Sequence, residues 1–185
     1  MRNFFEQILH FFGLFLISLA IVVPIRFFIV QPFLVRGESM IPNFANFDYL
    51  FVERVSYYVR NPERGEPIVF RFPRNEREYF IKRVIGVPGD HLIIREGKIF
   101  ITRDGEGEKF LEESYLPSGT KTQGNTDVRL GPDEYYVLGD NRDASFDSRR
   151  WGIVPKANIV GRVIVRIWPL KSVHLFWNEA LDQVT

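Results

Sequence analysis

The most constraining feature of this chain is its apolar N-terminus. The first 35 residues contain eight of the 18 phenylalanines but only three charged side chains, Arg2, Glu6 and Arg26. As a helix, residues 8–30 would be about 35 Å long, which is enough to cross the hydrocarbon core of a bilayer with some tilt. Apolar side chains surround the whole helical wheel, which disfavours an amphipathic helix packed on a soluble core. We therefore expect residues 1–32 to form a short tail and one uncleaved transmembrane anchor.

A cleavable signal peptide is the alternative interpretation of this segment. Ser18 and Ala20 are small residues at the spacing that a cleavage site requires. The apolar character continues for another ten residues past Ala20, however, which is too long for the hydrophobic region of a signal peptide. The charges leave the orientation open, because Arg2 favours a cytoplasmic N-terminus whereas Arg26 and Arg36 favour the opposite one.

The rest of the chain, residues 33–185, has a different composition and predicts one β-rich domain. Short runs of β-branched and aromatic residues alternate with turn signals such as Glu96-Gly97, which predicts mainly antiparallel β-structure with a hairpin at that turn. The polar, glycine-rich residues 103–130 lie within a short insertion at about 90–131, and we expect them to form a surface excursion that packs little. A short helix is expected near 177–184. The predicted strands are 48–55, 67–72, 78–87, 91–102, 134–138 and 159–168.

Composition excludes several classes of function. The net charge is only +1, whereas a general nucleic-acid binder displays a strong basic excess. The chain has no cysteine, so disulfides, thiol catalysis and iron–sulfur clusters are excluded, and three histidines make a multi-histidine metal site improbable. We therefore expect no nucleic-acid partner and no metal site built from cysteine or several histidines.

Three patches contain reactive side chains in apolar or turn-rich surroundings. They are GESMIP at 37–42, YFIKRVIGVPGD at 79–90 and GDNRDASFDSRRWG at 139–152. In a strand, Lys82 would share a face with apolar neighbours, where burial can neutralise a lysine near pH 7 and make it a base. A lysine whose amine reaches back to solvent is equally compatible with that segment alone. The third patch lacks the glycine of a calcium loop at Ser145, so its alternating charges predict a buried ion-pair network.

Taken together and in this order, the anchor and the three patches resemble the type I signal peptidases, which are membrane-anchored Ser/Lys endopeptidases. The resemblance extends over nearly the whole chain, and its second and third motifs are specific. It implies a mainly β, antiparallel catalytic domain preceded by one transmembrane helix. It further implies removal of signal peptides from exported preproteins after small residues, with no metal and no cofactor. The enzyme would be a single-pass protein of the bacterial cytoplasmic membrane, in contact with the lipid bilayer, with its catalytic domain on the extracytoplasmic side.

The resemblance also implies roles for individual residues. Ser39 corresponds to the nucleophile, Lys82 to the general base and Ser145 to the residue that orients the Lys82 amine. The backbone N–H groups of Ser39 and Gly37 are candidate oxyanion donors, although Gly37 lacks the hydroxyl that many members have there. The implied structural ion pairs involve Arg83, Asp140, Asp147 and Arg149. The implied substrate pocket contains Phe33, Val35, Met40, Phe44, Val69, Phe80 and Ile81.

Two smaller features of the pattern also lead to expectations. Asn43 stands where threonine is usual in the family, and we expect it to modify local packing without changing the chemistry. Exposed aromatic residues near the site, among Trp151, Trp168 and Trp177, are candidates for contact with the membrane.

Two other functions remain open from the sequence. One is a self-cleaving Ser/Lys peptidase of the LexA type, which is disfavoured because such proteins lack an N-terminal anchor and normally carry a DNA-binding domain. The other is a catalytically silent, membrane-tethered β-domain that binds peptides.

Overall fold

Residues 2–24, 30–103 and 107–176 are described in a computed structural model of the chain. Helix α1, Arg2–Pro24, comes first and is followed by two antiparallel β-sheets. Among the described residues, no helix has the length and apolarity needed to cross a membrane. The predicted anchor includes residues 25–29, which lie outside the described part, as do Trp177 and the helix expected near 177–184.

The larger sheet confirms the prediction of mainly antiparallel β-structure. Its strands follow the order β1-β2-β11-β3-β4-β9-β10, and β12 pairs with β11. Every one of these pairings is antiparallel. The strands are β1 Val30–Leu34, β2 Tyr49–Glu53, β3 Pro67–Phe72, β4 Asn75–Gly86, β9 Glu134–Leu138, β10 Val154–Pro155, β11 Ile159–Trp168 and β12 His174–Leu175. Short helices α2, Ser56–Val59, and α3, Ser148–Trp151, connect them, and residues 156–158 and 170–172 form single 3-10 turns.

The smaller sheet is built from the insertion and has four strands in the order β7-β6-β5-β8. They are β5 His91–Arg95, β6 Lys98–Thr102, β7 Lys109–Phe110 and β8 Thr126–Arg129. The predicted hairpin is confirmed at its turn, where Glu96 and Gly97 adopt φ angles of 54° and 76°, the left-handed region that a two-residue hairpin loop requires.

The prediction that residues 103–130 pack little is wrong. This segment supplies β7 and β8, and its Leu111, Thr122 and Leu130 are buried. The apolar residues concerned are isolated within polar sequence. A search for periodic apolar runs therefore does not detect them, although each one fills a position in the core under the smaller sheet.

Strand β4 contributes to all three apolar cores of the β-domain. Ile81 packs against the core formed around Val52 and Val163, Phe80 against the core around Phe70, and Ile85 belongs to the core under the smaller sheet. Successive side chains of a strand point to opposite faces, so one strand can contact cores on both sides of the sheet. Strand β4 is therefore packed into each apolar core of the β-domain.

We predict that Gly161→Ala destabilises the β-domain. A Cβ at Gly161 would lie 2.2 Å from the Glu53 carbonyl oxygen of β2, at a position where the pairing of β11 with β3, on its other side, is irregular. Since this neighbour is backbone, we expect a loss of about 1–3 kcal/mol or more in unfolding free energy, measured by denaturant titration. Gly107→Ala is the control, because its Cβ would meet no atom within 4 Å. Equal stability of the two variants would contradict the prediction.

Candidate active site

Ser39 lies in a tight turn that follows β1. The turn is closed by backbone hydrogen bonds from Ile41 to the Glu38 carbonyl, 3.3 Å, and from Phe44 to the Met40 carbonyl, 2.9 Å. Met40 and Phe44 are buried beneath it, whereas Ser39 is partly accessible. The buried side chains thus anchor the turn and leave the serine hydroxyl at the surface of a cavity.

Lys82 reaches Ser39 from the neighbouring strand β4. Its Nζ lies 2.7 Å from Ser39 Oγ and also donates a hydrogen bond to the Ile81 carbonyl, 2.9 Å. The residue is only 4% exposed, in the middle of β4, where it is paired with Ile68 of β3. A serine and a lysine 43 positions apart in the chain are therefore brought into direct hydrogen-bonding contact.

Burial changes the acid–base chemistry of Lys82. Desolvation disfavours the ammonium and lowers the Lys82 pKa from 10.5 to about 8, while the charges of Asp147 and Asp140 partly oppose this shift. Near pH 8, a large fraction of the amine is consequently neutral. In that form its lone pair can accept the proton of the Ser39 hydroxyl, which is what a general base must do.

The third patch packs its backbone directly against the serine turn. The Asn141 N–H donates to the Ser39 carbonyl, 3.1 Å, and the Asn141 side-chain amide donates to the Glu38 carbonyl, 3.1 Å. Gly139 is equally close, since a Cβ there would lie 2.4 Å from the Ser39 carbonyl oxygen and 2.2 Å from Ser145 Oγ. Only glycine permits this approach, so the loop and the serine turn form one rigid unit.

Ser145 is buried at the site, but the expected hydrogen bond to Lys82 is not made. Within the described residues, its Oγ has no hydrogen-bond partner of good geometry, although its hydroxyl contributes to a lowered pKa at nearby Asp147. The Lys82 amine is instead directed to Ser39 and to its own strand.

The four charged residues of the predicted network are found in two buried pairs. Arg83 binds Asp140 through two hydrogen bonds of 2.9 and 2.7 Å, and Arg149 binds Asp147 through two of 2.8 Å. Burial alone would raise the Asp147 pKa, but Arg149, the Gly139 N–H and the Ser145 hydroxyl together outweigh it, so the pKa of Asp147 is lowered. Both carboxylates near Lys82 therefore have an arginine partner.

Sequence reasoning missed part of this network. The Asn43 side-chain amide donates to Asp140, 2.8 Å, and to the Tyr115 carbonyl, 3.0 Å, so it joins the serine turn to the third patch and the insertion. Arg142 likewise binds Glu113 through both terminal guanidinium nitrogens, Nη1 to Oε2 at 2.6 Å and Nη2 to Oε1. Arg142 lies in the third motif, so a structural role could be predicted for it. The polar sequence around Glu113 contains no signal that Glu113 is its partner.

The backbone N–H of Gly37 is not an open oxyanion donor here. It donates to Asn46 Oδ1, 3.1 Å, and Gly37 adopts a φ of 94°, in the left-handed region. The expectation that Gly37 contributes to the oxyanion site is thus corrected, because its only backbone donor already has a partner. The Ser39 N–H remains the proposed donor.

A cavity of about 360 Å³ opens beside Ser39 and Lys82. Five of the seven expected pocket residues line it: Phe33, Val35, Val69, Phe80 and Ile81. Met40 and Phe44 do not, because their side chains point into the core below the turn. The sequence reasoning missed several further lining residues, including Leu50, Tyr79, Ala144 and Phe146; an apolar Phe146 in an otherwise polar loop was an available signal.

Two further expectations concern tryptophan and metal. Trp151 is buried beside Phe70 and Phe72, which corrects its assignment as a membrane-contact candidate, whereas Trp168 is 52% exposed. Within the described ranges, no group of three or more His, Cys, Asp or Glu side chains is arranged to hold a metal ion.

Comparison with known proteins gives consistent matches. The family model described as signal peptidase, peptidase S26, matches residues 8–168. The probable signal peptidase I-2 of a Synechocystis species is 35% identical over 168 residues, which cover 88% of this chain and 74% of the relative. Signal peptidase I of Leptolyngbya laminosa is 38% identical over 161 residues, covering 83% and 76%. The crystal structure of a signal peptidase I from Enterococcus faecalis V583 matches with a TM-score of 0.47 and 28% identity, covering 56% of this chain and 97% of that one.

We predict that Lys82→Met stabilises the fold near neutral pH. Because the Lys82 pKa is lowered to about 8 in the folded chain, the unfolded chain binds more protons between pH 8 and 10.5. The penalty for burying the ammonium is therefore fully present below pH 8 and disappears as the pH rises towards 10.5. We expect a gain of up to about 3 kcal/mol at pH 7 and almost none above pH 10.5, measured by denaturant unfolding.

The exposed Lys98 on β6 provides the matched control. Lys98→Met should change stability little at either pH. A Lys82→Met variant that is less stable than the parent at pH 7 would contradict a desolvated lysine.

Proposed function

Because this chain belongs to the signal peptidase family, peptidase S26, and is therefore a serine endopeptidase that removes signal peptides, we propose that it cuts by means of a Ser39–Lys82 dyad. The observation that carries the proposal is the 2.7 Å contact between Ser39 Oγ and a Lys82 amine whose pKa is lowered to about 8. The proposed cut follows a small residue of an exported preprotein.

In the proposed first half-reaction, Ser39 Oγ attacks the scissile carbonyl carbon while neutral Lys82 accepts the hydroxyl proton. The resulting tetrahedral intermediate collapses to a Ser39 ester as the C–N bond breaks. The Lys82 ammonium returns the proton to the departing amine, which leaves with the mature protein. The lysine is thereby neutral again at the acyl-enzyme stage.

In the second half-reaction, Lys82 removes a proton from a water molecule that attacks the ester. The ammonium then returns this proton to Ser39 Oγ, and the signal peptide leaves with a new carboxylate. Acylation removes the hydroxyl that contacts Lys82, so the amine needs another partner at this stage. We assign that role to Ser145, whose buried hydroxyl has no well-oriented partner in the described part of the chain.

The ion pairs are proposed to support the dyad indirectly. Arg83 follows Lys82 on β4 and binds Asp140, while Asp140 also accepts the Asn43 amide from the serine turn. One carboxylate therefore connects the strand that carries the base with the turn that carries the nucleophile. In the second pair, the Asp147 carboxylate binds Arg149 and also accepts a hydrogen bond from the Gly139 N–H, 3.1 Å. This contact holds the start of the loop.

The preference for small residues before the cut is proposed to arise from the aliphatic wall of the cavity. Its residues are Val35, Leu50, Val69 and Ile81. Beside them, Phe33 on β1 contacts Tyr79 on β4, with 5.6 Å between their ring centres. An extended peptide laid between β1 and β4 would present alternate side chains to this wall. Alanine fits such a shallow site, whereas larger side chains clash.

We further propose that the apolar N-terminus anchors the enzyme in the bacterial cytoplasmic membrane, with a single span and the catalytic domain on the extracytoplasmic side. The apolar side chains of α1 that the structure describes, such as Phe11, Leu14 and Ile17, are largely exposed to solvent around the helix. So many exposed apolar side chains are unfavourable in water and favourable in lipid. Exposed Trp168 and Leu170 on the β-domain are suited to an interfacial contact.

The dyad predicts a specific pH dependence of cleavage. With a purified preprotein and the full chain in detergent, we expect kcat/KM to rise about tenfold per pH unit and to level off near pH 8, because only the neutral amine is a base. Ser39→Ala and Lys82→Met should each lower kcat/KM by at least about a thousandfold.

Lys98→Met, on the smaller sheet, should retain the parental rate and pH profile. An acid limb that levels off only near pH 10.4, the unperturbed lysine value, would exclude a buried base. Undiminished cleavage by either dyad variant would exclude the mechanism, and no cleavage by the unmodified chain would favour a silent peptide-binding domain.

The anchor predicts firm association with lipid. The full chain should float with vesicles of anionic bilayer lipid and resist extraction at high pH. The double variant Leu16→Arg, Leu19→Arg should be extracted, because each arginine near the centre of a span costs about 2.5–3.5 kcal/mol. Phe110→Arg, at an exposed position of β7, is the matched control and should remain bound. Recovery of the unmodified chain in the soluble fraction would contradict an anchor.

A further inference from the structure

The cavity beside Ser39 and Lys82 has two walls of different composition on opposite faces of β4. Ile81 and Val69 face the side that packs against the core around Val52. Phe80 faces the other side, where it packs against the core that contains Phe70 and Phe72. Since neighbouring residues of a strand point to opposite faces, the cavity bends around the edge of β4. One wall is aliphatic and the other is aromatic.

Lys82 shares the face of the aromatic wall. Its Nζ lies 5.6 Å from the centre of the Phe80 ring, and the loop after β9 brings Ala144 and Phe146 to the same part of the cavity. In the proposed mechanism, the departing amine takes its proton from Lys82. The residue after the cut must therefore lie on the Lys82 side of Ser39, next to the aromatic wall.

Phe146 is an exposed aromatic member of this wall. Its side chain is 48% exposed, although the backbone on both sides is fixed by the Asp147–Arg149 pair and by the Ala144 N–H bonded to the Asn141 carbonyl, 3.2 Å. The ring contacts Phe72 with 5.9 Å between ring centres, and Phe72 stacks on Phe80 at 4.8 Å. A rigid loop thus holds a large apolar side chain at the cavity with one face still open.

We propose that Phe146 is a specificity-determining residue, which together with Phe80 and Ala144 forms a subsite for the first residue of the mature protein. The open ring face accepts an apolar side chain of that residue and disfavours a polar one, which would lose its water there. This inference rests on the proposed function, because the Ser39–Lys82 chemistry defines which side of the cut faces the wall.

The test compares substrates that differ on one side of the cut only. One pair has Leu or Asn as the first residue after the cut, since these side chains are nearly equal in size. The other pair has Ala or Val as the last residue before it. For each pair the ratio of kcat/KM values is measured with the full chain in detergent, for the unmodified enzyme and for Phe146→Ala and Phe146→Leu.

We expect Phe146→Ala to lower the Leu-over-Asn ratio about tenfold, at the low end of the discrimination that an apolar pocket achieves, because the wall is half open. Phe146→Leu should retain most of the preference, and the Ala-over-Val ratio should not change in either variant. Phe110→Ala is the control, since Phe110 is similarly exposed, at 43%, on the distant smaller sheet. Its two ratios should match those of the unmodified enzyme.

The inference is overturned if Phe146→Ala cleaves with an unchanged Leu-over-Asn ratio, or if the Ala-over-Val ratio changes instead. It is also overturned if Phe110→Ala shows the same loss of preference. Absence of cleavage by the unmodified enzyme would instead contradict the proposed function, so the two failures are distinguishable. Phe146 is half exposed, so its alanine variant should fold. A retained Ala-over-Val ratio shows directly that the variant is folded, and a change in the Leu-over-Asn ratio then reports on the wall.

Discussion

The site depends on one unfavourable placement, a lysine amine buried beside a serine hydroxyl. A desolvated ammonium is costly, and this cost is the reason that Lys82 is partly neutral near pH 8. The surroundings must therefore exclude water without supplying negative charge. Asp140 and Asp147 lie close enough to raise the Lys82 pKa, but Arg83 and Arg149 are bound directly to them. Without these arginines the carboxylates would favour the ammonium, and the base would be available only at higher pH.

Strand β4 concentrates this arrangement in four consecutive residues. Phe80 belongs to the aromatic wall, Ile81 to the aliphatic wall, Lys82 contacts Ser39, and Arg83 binds Asp140. Alternation of side chains across the sheet separates the two walls. Pairing with β3 along all four residues, and with β9 from Arg83 onward, fixes the position of the strand. A shift of one residue in this strand would exchange the two faces and remove the amine from Ser39. The motif at 79–90 therefore contains several functional residues in a row because consecutive side chains of β4 alternate between the two faces of the sheet.

The sequence predicted the regular parts of this structure and missed the contacts between distant segments. Runs of β-branched and aromatic residues between turn signals, such as those of β3, β4 and β11, were found. Strand β1 was not, because it is short, contains Pro32 and lies at the edge of the sheet, where proline is tolerated. The bridge from Asn43 to Tyr115 spans 72 positions and leaves no local pattern. Likewise, the sequence shows that Met40 and Phe44 are apolar. It does not show whether the turn directs their side chains to the cavity or to the core.

Two buried polar residues at this site break ordinary rules of folding, whereas the residues around them obey these rules. A lysine is buried without a carboxylate bound to it, and the buried Ser145 hydroxyl has no well-oriented partner among the described residues. Around them, Arg83, Arg149 and Asn43 satisfy the other buried charges and close the loop onto the serine turn. This contrast indicates that the paired charges hold in place a lysine without an ion-pair partner and a serine without a well-oriented hydrogen bond. A single well-satisfied network fixes the backbone on both sides of the cavity, so two reactive groups can remain in positions that they would not adopt alone.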